Sequence, residues 1–113
     1  MEISEQIQEG VAIERLLLTN GSTLIGFVQE DLRDSLFILS PFLQENSSTL
    51  KIYSDTGVAS IQKTSIQARL LPTKREELLY INRACHKFCN VFKTYLTEED
   101  YVLLKRRRVQ IGA

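Results

Sequence analysis

The chain has 113 residues, 43% apolar and 25% charged, the balance of one soluble globular domain with enough material for a single core. Its 14 basic and 14 acidic side chains cancel, so no global field draws in a polyanion and any nucleic-acid affinity must come from a local patch. No apolar stretch approaches the ~18 residues that span a bilayer, and the acidic, polar start is not a secretion signal.

In chain order, Met1–Gly10 predicts a short helical turn, with Ile3 and Ile7 four apart and Gly10 closing it. Val11–Thr19 predicts the first strand and Ser22–Glu30 the second. Asn20-Gly21 between them predicts a type I′ hairpin turn, in which both residues take positive φ. Gly26, inside the second strand, predicts a sharp bend or a close backbone approach. Leu36–Leu43 predicts the third strand, where Pro41 is tolerable only at an edge or a bulge, and Gln44–Ser48 reads as a polar loop. Thr49–Tyr53 and Val58–Gln62 are short strand-like runs around the turn cluster Ser54-Asp55-Thr56-Gly57, and fit either one interrupted strand or a hairpin. Ile66–Leu71 predicts the last strand, stopped by Pro72.

The period then changes. Thr73 with Glu76 is a capping-box signature after Pro72. Leu78, Ile81, Cys85, Phe88, Phe92 and Tyr95 recur every three or four residues, which predicts one apolar stripe on a helix of roughly six turns. Thr97 with Asp100 predicts a second capping box and a short helix, acidic at its start (Glu98, Glu99, Asp100) and basic at its end (Lys105 to Arg108), an order that complements the helix dipole. The expected fold is mainly β with α: a small, bent, five-stranded barrel of the SH3 type over residues 1–72, then a helical extension over 73–113, together forming one domain. The first three strands are apolar on both faces. One face can fill the barrel, and the other needs the helix or another subunit. Ile66 and Leu70 alternate with Gln67 and Arg69 on a candidate edge strand that can add to a neighbour's sheet.

These residues resemble the Sm/LSm family, small bent barrels that assemble edge to edge into rings. The first family motif matches Leu16-Leu17-Leu18-Thr19-Asn20-Gly21, then Leu24-Ile25-Gly26-Phe27-Val28, the charged turn Asp31 to Ser35, and Leu36-Phe37-Ile38-Leu39. In the second motif Ile61 and Ile66 stand at the family spacing, with Gln62-Lys63 in place of Arg-Gly. With its helical extension the chain looks more like the divergent Sm-like proteins of bacterial viruses than the cellular ones. The resemblance implies a homo-oligomeric ring of about five to seven subunits, with single-stranded RNA as its candidate partner. In the family a uridine-like base is held by an aspartate, an amide four residues on, a stacking residue between them and the motif arginine. Counted without gaps from Gly26, Leu32 and Leu36 take the acidic and amide positions, where neither can hydrogen-bond a base; with one residue deleted, Asp31 and Ser35 take them, Asp34 falls where the stacking residue would be, and Gln62 and Lys63 replace the arginine pair.

Lys105-Arg106-Arg107-Arg108 is the one dense basic run, fit either to track a phosphate backbone or to serve as a solvated helix end. Cys85-His86-Lys87-Phe88-Cys89 places two thiols on one helix face. With a single histidine and no third cysteine it does not make a zinc site, and buried cysteines acting as small hydrophobes are the expectation. Two cysteines so close fit a reducing, cytoplasmic setting rather than a long-loop disulfide. Asp31 and Asp34 flank Arg33, a solvated turn with a local ion pair. Phe42 and Tyr53 lie near loops, as stacking platforms or as barrel plugs. No nucleophile–base pair or phosphate-binding glycine loop is present, so neither an enzyme, a cofactor nor a small-molecule substrate is expected. The alternative to an RNA-binding ring is an oligomeric scaffold that has lost base recognition.

Overall fold

The structure, a computed structural model, describes residues 13–46 and 48–112, with side chains as far as Arg106. The helical turn expected over Met1–Gly10 and the start of the first strand at Val11 lie outside the described residues. Six strands form one strongly bent antiparallel sheet: β1 (Ile13–Leu18), β2 (Thr23–Asp31), β3 (Ser35–Asn46), β4 (Thr49–Ile52), β5 (Val58–Gln62) and β6 (Ile66–Leu70). Its order is β4-β3-β2-β1-β6, with β5 also paired to β3. Three helices follow: α1 (Lys74–Lys87), α2 (Cys89–Tyr95) and α3 (Glu98–Gly112).

The long β3 explains the count of six rather than five. Its first half pairs with β5, Leu36 opposite Ile61, and its second half pairs with β4, Leu43 opposite Lys51. Thus β4 and β5 are one strand interrupted at the Ser54–Gly57 turn, not a hairpin. The residues Gln44 to Asn46, expected in a loop, continue β3 because β4 pairs with them. β5 and β6 do not pair, so the sheet stays open there. A 3₁₀ turn over Lys63–Ser65 bridges them, with Thr19 N–H donating to Ser65 O at 2.9 Å.

The β1–β2 turn also differs from expectation. Leu18 N–H bonds Ser22 O and Gly21 N–H bonds Leu18 O, a three-residue loop in which Gly21, not Asn20, takes positive φ (89°). The Asn20 side chain instead accepts from Ser22 N–H.

Two bulges bend the sheet. Between the pairs Ile25–Phe42 and Phe27–Leu39, β3 carries an extra residue at Ser40-Pro41 opposite Gly26. Ser40 adopts φ 49°, and an added Cβ on Gly26 would run into the Ile38 side chain. The expected close approach at Gly26 and the bulge at Pro41 are therefore one feature. It turns both Leu39 and Phe42 to the same side. The second bulge, at Gln29, frees that side chain to donate to Tyr95 O at 2.5 Å.

Both sheet faces are apolar, as the strands predict. Leu16, Leu18, Leu24, Val28, Leu36, Ile38 and Ile61 make a core built from strands alone, around which the sheet curls. On the other face Ile13, Ile25, Phe27, Leu39, Phe42 and Leu50 pack under Tyr80, Ile81, Ala84, Phe88, Phe92 and Leu104 of the helices. The extension therefore packs on its own sheet. Each large apolar side chain fully buried here contributes about 1.5–3 kcal/mol.

The capping box forms: Thr73 Oγ1 accepts from Glu76 N–H at 3.1 Å, and Glu76 Oε1 accepts from Thr73 N–H at 2.9 Å. The single long helix does not. It breaks at Phe88 (φ −127°, ψ 35°), which sends the Phe88 ring to Phe42 and Gly57 while Phe92 meets Phe27 edge-on at 6.1 Å. A straight helix could not follow the bent sheet to both places. The buried face of α1 is also rotated from the predicted stripe: Tyr80 and Ala84 are fully buried, Cys85 packs at the margin, and Leu78 lies outside the core. The last helix is 15 residues, not short, so Lys105 to Arg108 lie within it rather than in its last turn.

Tyr80 makes the packing of α1 specific. Phe27 and Leu39 are cross-strand neighbours at the edge of the bulge. The buried Tyr80 hydroxyl accepts from Phe27 N–H at 3.0 Å and donates to Leu39 C=O at 2.8 Å. No described helix is long and apolar enough to cross a membrane.

Candidate functional site

The β2–β3 turn and the 3₁₀ turn meet at one end of the curled sheet. Asp31 ends β2 opposite Leu36, and Leu32 N–H donates to Ser35 O at 2.9 Å, leaving Arg33-Asp34 as the tip. Ser35 pairs with Gln62 across β3 and β5, and Lys63 N–H donates to Asp34 O at 2.8 Å. Backbone pairing thus gathers Asp31, Ser35, Gln62 and Lys63, four of the eight residues expected to serve a common site.

The side chains of Asp31 and Lys63 join Arg69 and Glu14 in an ion-pair knot. Lys63 Nζ lies 2.5 Å from Asp31 Oδ1, and Arg69 Nη1 donates to Asp31 Oδ2 at 2.8 Å. The other two guanidinium nitrogens grip Glu14: Nε donates to Oε1 at 2.7 Å and Nη2 to Oε2 at 2.6 Å. Arg69 is held here because Leu16, its cross-strand neighbour, belongs to the core on the same face. Asp31 does not pair with the adjacent Arg33, as its charged turn suggested, but with cations from two other elements.

The electrostatics follow. Hydrogen bonding from Lys63, then from Arg69, holds the Asp31 carboxyl below its ordinary value. The Glu14 fork keeps the Arg69 guanidinium protonated more firmly than usual, against the effect of partial burial. Glu14 is 5% exposed, and a carboxylate so buried requires such a partner. Each oxygen of Asp31 already has a cationic partner and the Lys63 ammonium is paired with it, so a base would compete with these contacts. Asp34 provides no stacking surface, and Leu32, 47% exposed, is the apolar side chain at this turn.

Glu14 and Arg69 were not among the expected site residues. The signal for Glu14 was present: it shares the alternating face of Leu16 and Leu18, where a charge implies a buried partner.

The remaining four expected residues sit on α3. The Lys105 ammonium lies 4.8 Å from the centre of the Tyr101 ring, and Arg106 is exposed. Among the described residues no hydrogen bond or ion pair joins them to the knot. The side chains of Arg107 and Arg108 lie outside the described residues. Of the stacking candidates, Phe42 is a core residue, 2% exposed between the rings of Tyr80 and Phe88, while Tyr53 is 43% exposed. Cys85 and Cys89 are half-buried and not joined in a disulfide, and the described residues contain no group of three or more metal-ligating side chains.

A second polar cluster ties α1 to the sheet. Glu76 accepts from Gln44 Nε2 at 2.5 Å and lies 3.5 Å from Arg15 Nε, which itself donates to Gln44 Oε1 at 2.9 Å. Burial pushes the Glu76 carboxyl up, but the Thr73 amide, the Gln44 amide and the Arg15 charge together hold it below its usual value.

No protein-family model matches the chain, and no curated protein matches its sequence. The class the coordinates define is a bent, mainly antiparallel β protein with a helical layer on one face.

Proposed function

We propose that this chain is an Sm-like, ring-forming scaffold whose base-binding turn has become an internal ion-pair lock. The observation that carries this reading is the double occupation of Asp31 by Lys63 and Arg69, which engages both oxygens of the carboxylate a uridine-like base would need. A base at Asp31 would have to displace two charge-assisted hydrogen bonds, one of them from an Arg69 that the buried Glu14 already holds in place. Assembly is supported by the open sheet: β6 pairs only with β1, and β4 and β5 pair only with β3, so complementary edges are available for a neighbour to complete the barrel. Light scattering coupled to gel filtration is the test of assembly. The expected result is a discrete homo-oligomer that fails to retain uridine-rich or adenine-rich RNA on filters even at low salt.

RNA binding is the second reading, supported by the exposed Lys105 and Arg106, which have no carboxylate partner among the described residues. Repeated around a ring, such a run would track a phosphate backbone with strong salt dependence. Retention of RNA that disappears in a Lys105→Ala/Arg106→Ala variant would establish it in place of the scaffold.

A further inference from the structure

A groove of about 490 Å³ runs between β4 and the last turns of α1. Its floor is apolar: Phe42, Leu50 and Ile52. Its rim is basic: Lys51 from β4, and Arg83, His86 and Lys87 from α1. All four rim side chains are exposed, and none has an ion-pair or hydrogen-bond partner among the described residues. Elsewhere Arg15 and Arg69 of the strands and Lys63 of the 3₁₀ turn are all paired with carboxylates. The groove is therefore an apolar trough with uncompensated positive charge, on a chain whose formal net charge is zero.

The compensating charge lies on α3. Glu98 and Glu99 at its start are exposed and make no ion pair among the described residues. One turn on, Val102 is 46% exposed on the same stripe, beside Glu98 and Glu99 in a shallow surface depression. The start of this stripe carries two carboxylates and one apolar side chain, the inverse of the groove, and Arg106 lies at its far end in the same depression. The opposite side of α3 is committed to the core through Leu104.

We infer that the groove of one copy receives the Glu98–Glu99–Val102 stripe of α3 from a second copy. Val102 lies over the Phe42–Leu50–Ile52 floor and the glutamates meet Arg83 and Lys87. The contact joins two different surfaces, so repetition builds a ring when the rotation closes. It adds a helix-in-groove contact to any pairing of sheet edges. The inference rests on the self-assembly reading but not on which sheet edges meet.

The test is a charge swap followed by sedimentation equilibrium and light scattering at low and high salt. Arg83→Glu/Lys87→Glu and Glu98→Lys/Glu99→Lys are each expected to weaken self-association about tenfold or more at low salt, with the difference shrinking as salt rises. The four-fold variant carrying both swaps is expected to recover the wild-type assembly. Lys51→Glu, on a different element, serves as an independent disruption, and circular dichroism confirms that each variant is folded. A wild-type oligomer that survives both double swaps overturns the inference and leaves the ring reading standing. Disruption by each swap without recovery in the four-fold variant overturns the pairing of these two surfaces. A wild-type chain that stays monomeric overturns both.

Discussion

Replacing Tyr80 by phenylalanine removes one oxygen and should cost far more than its size suggests. The ring keeps its place, edge-on to Phe42 at 5.9 Å, so little apolar contact is lost. What disappears is a buried hydroxyl that bridges two backbone groups beside the Ser40-Pro41 bulge, Phe27 N–H and Leu39 C=O. An unsatisfied buried group costs about 1–3 kcal/mol, and phenylalanine regains part of this because no hydroxyl must be desolvated. The net loss is about 2–4 kcal/mol, a large share of the 5–15 kcal/mol typical of a domain. The melting midpoint should fall by about 10 to 20 °C. Urea denaturation followed by circular dichroism measures it, with Tyr95→Phe as the control because that side chain is 42% exposed. A loss below about 1 kcal/mol, indistinguishable from the control, would refute the claim that the tyrosine completes the bulge's hydrogen bonding.

Three further outcomes are expected. Arg69→Met strands the buried Glu14 carboxylate and should destabilise the fold by about 2–3 kcal/mol, less than the full cost of a buried charge because Arg69 is partly exposed. Adding Glu14→Gln should restore most of that loss in a double-mutant cycle, and no recovery would mean the two residues act separately. Gly57→Val should cost more than about 2 kcal/mol, because Gly57 has φ 78° and its Cβ would fall 2.6 Å from Val91 Cγ2 and 2.8 Å from Phe88 Cδ1; a neutral result in thermal melts would contradict that crowding. The acid limb follows from Asp31 and Glu76, both held below their ordinary values. Their contribution is complete above the unfolded carboxylate range near pH 4 and is lost as pH falls through the lower folded values. The urea midpoint should therefore fall as pH drops from about 4 toward 2, and a midpoint that rises over that interval would reverse the sign.

Much of the architecture was readable residue by residue. Adjacent apolar pairs such as Leu24-Ile25 and Ile38-Leu39 marked strands apolar on both faces, and Thr73 with Glu76 marked the start of α1, because these signals are local and short in range. The approximate position of every strand followed from turn residues, and Gly26 announced the close approach to Ile38. For the candidate site, the sequence placed Asp31, Ser35, Gln62 and Lys63 together through the two motifs, and β3–β5 pairing does join them.

What the tertiary structure alone decided has one physical origin: the sheet bends, and everything against it must bend too. The bulge at Ser40-Pro41 shifts the side-chain alternation and so determines which face Phe42 joins, a choice no periodicity contains. The helical repeat from Leu78 to Tyr95 is uninterrupted as a pattern, yet the chain breaks at Phe88 so that its ring and that of Phe92 reach separate parts of a curved surface. Likewise the charges at residues 14, 31, 63 and 69 are far apart along the chain, and only the curl brings them within hydrogen-bonding distance. Composition and spacing set the strands and their apolar faces; the curvature, which arises from contacts distant in sequence, determined which charges neutralise each other and which remain exposed.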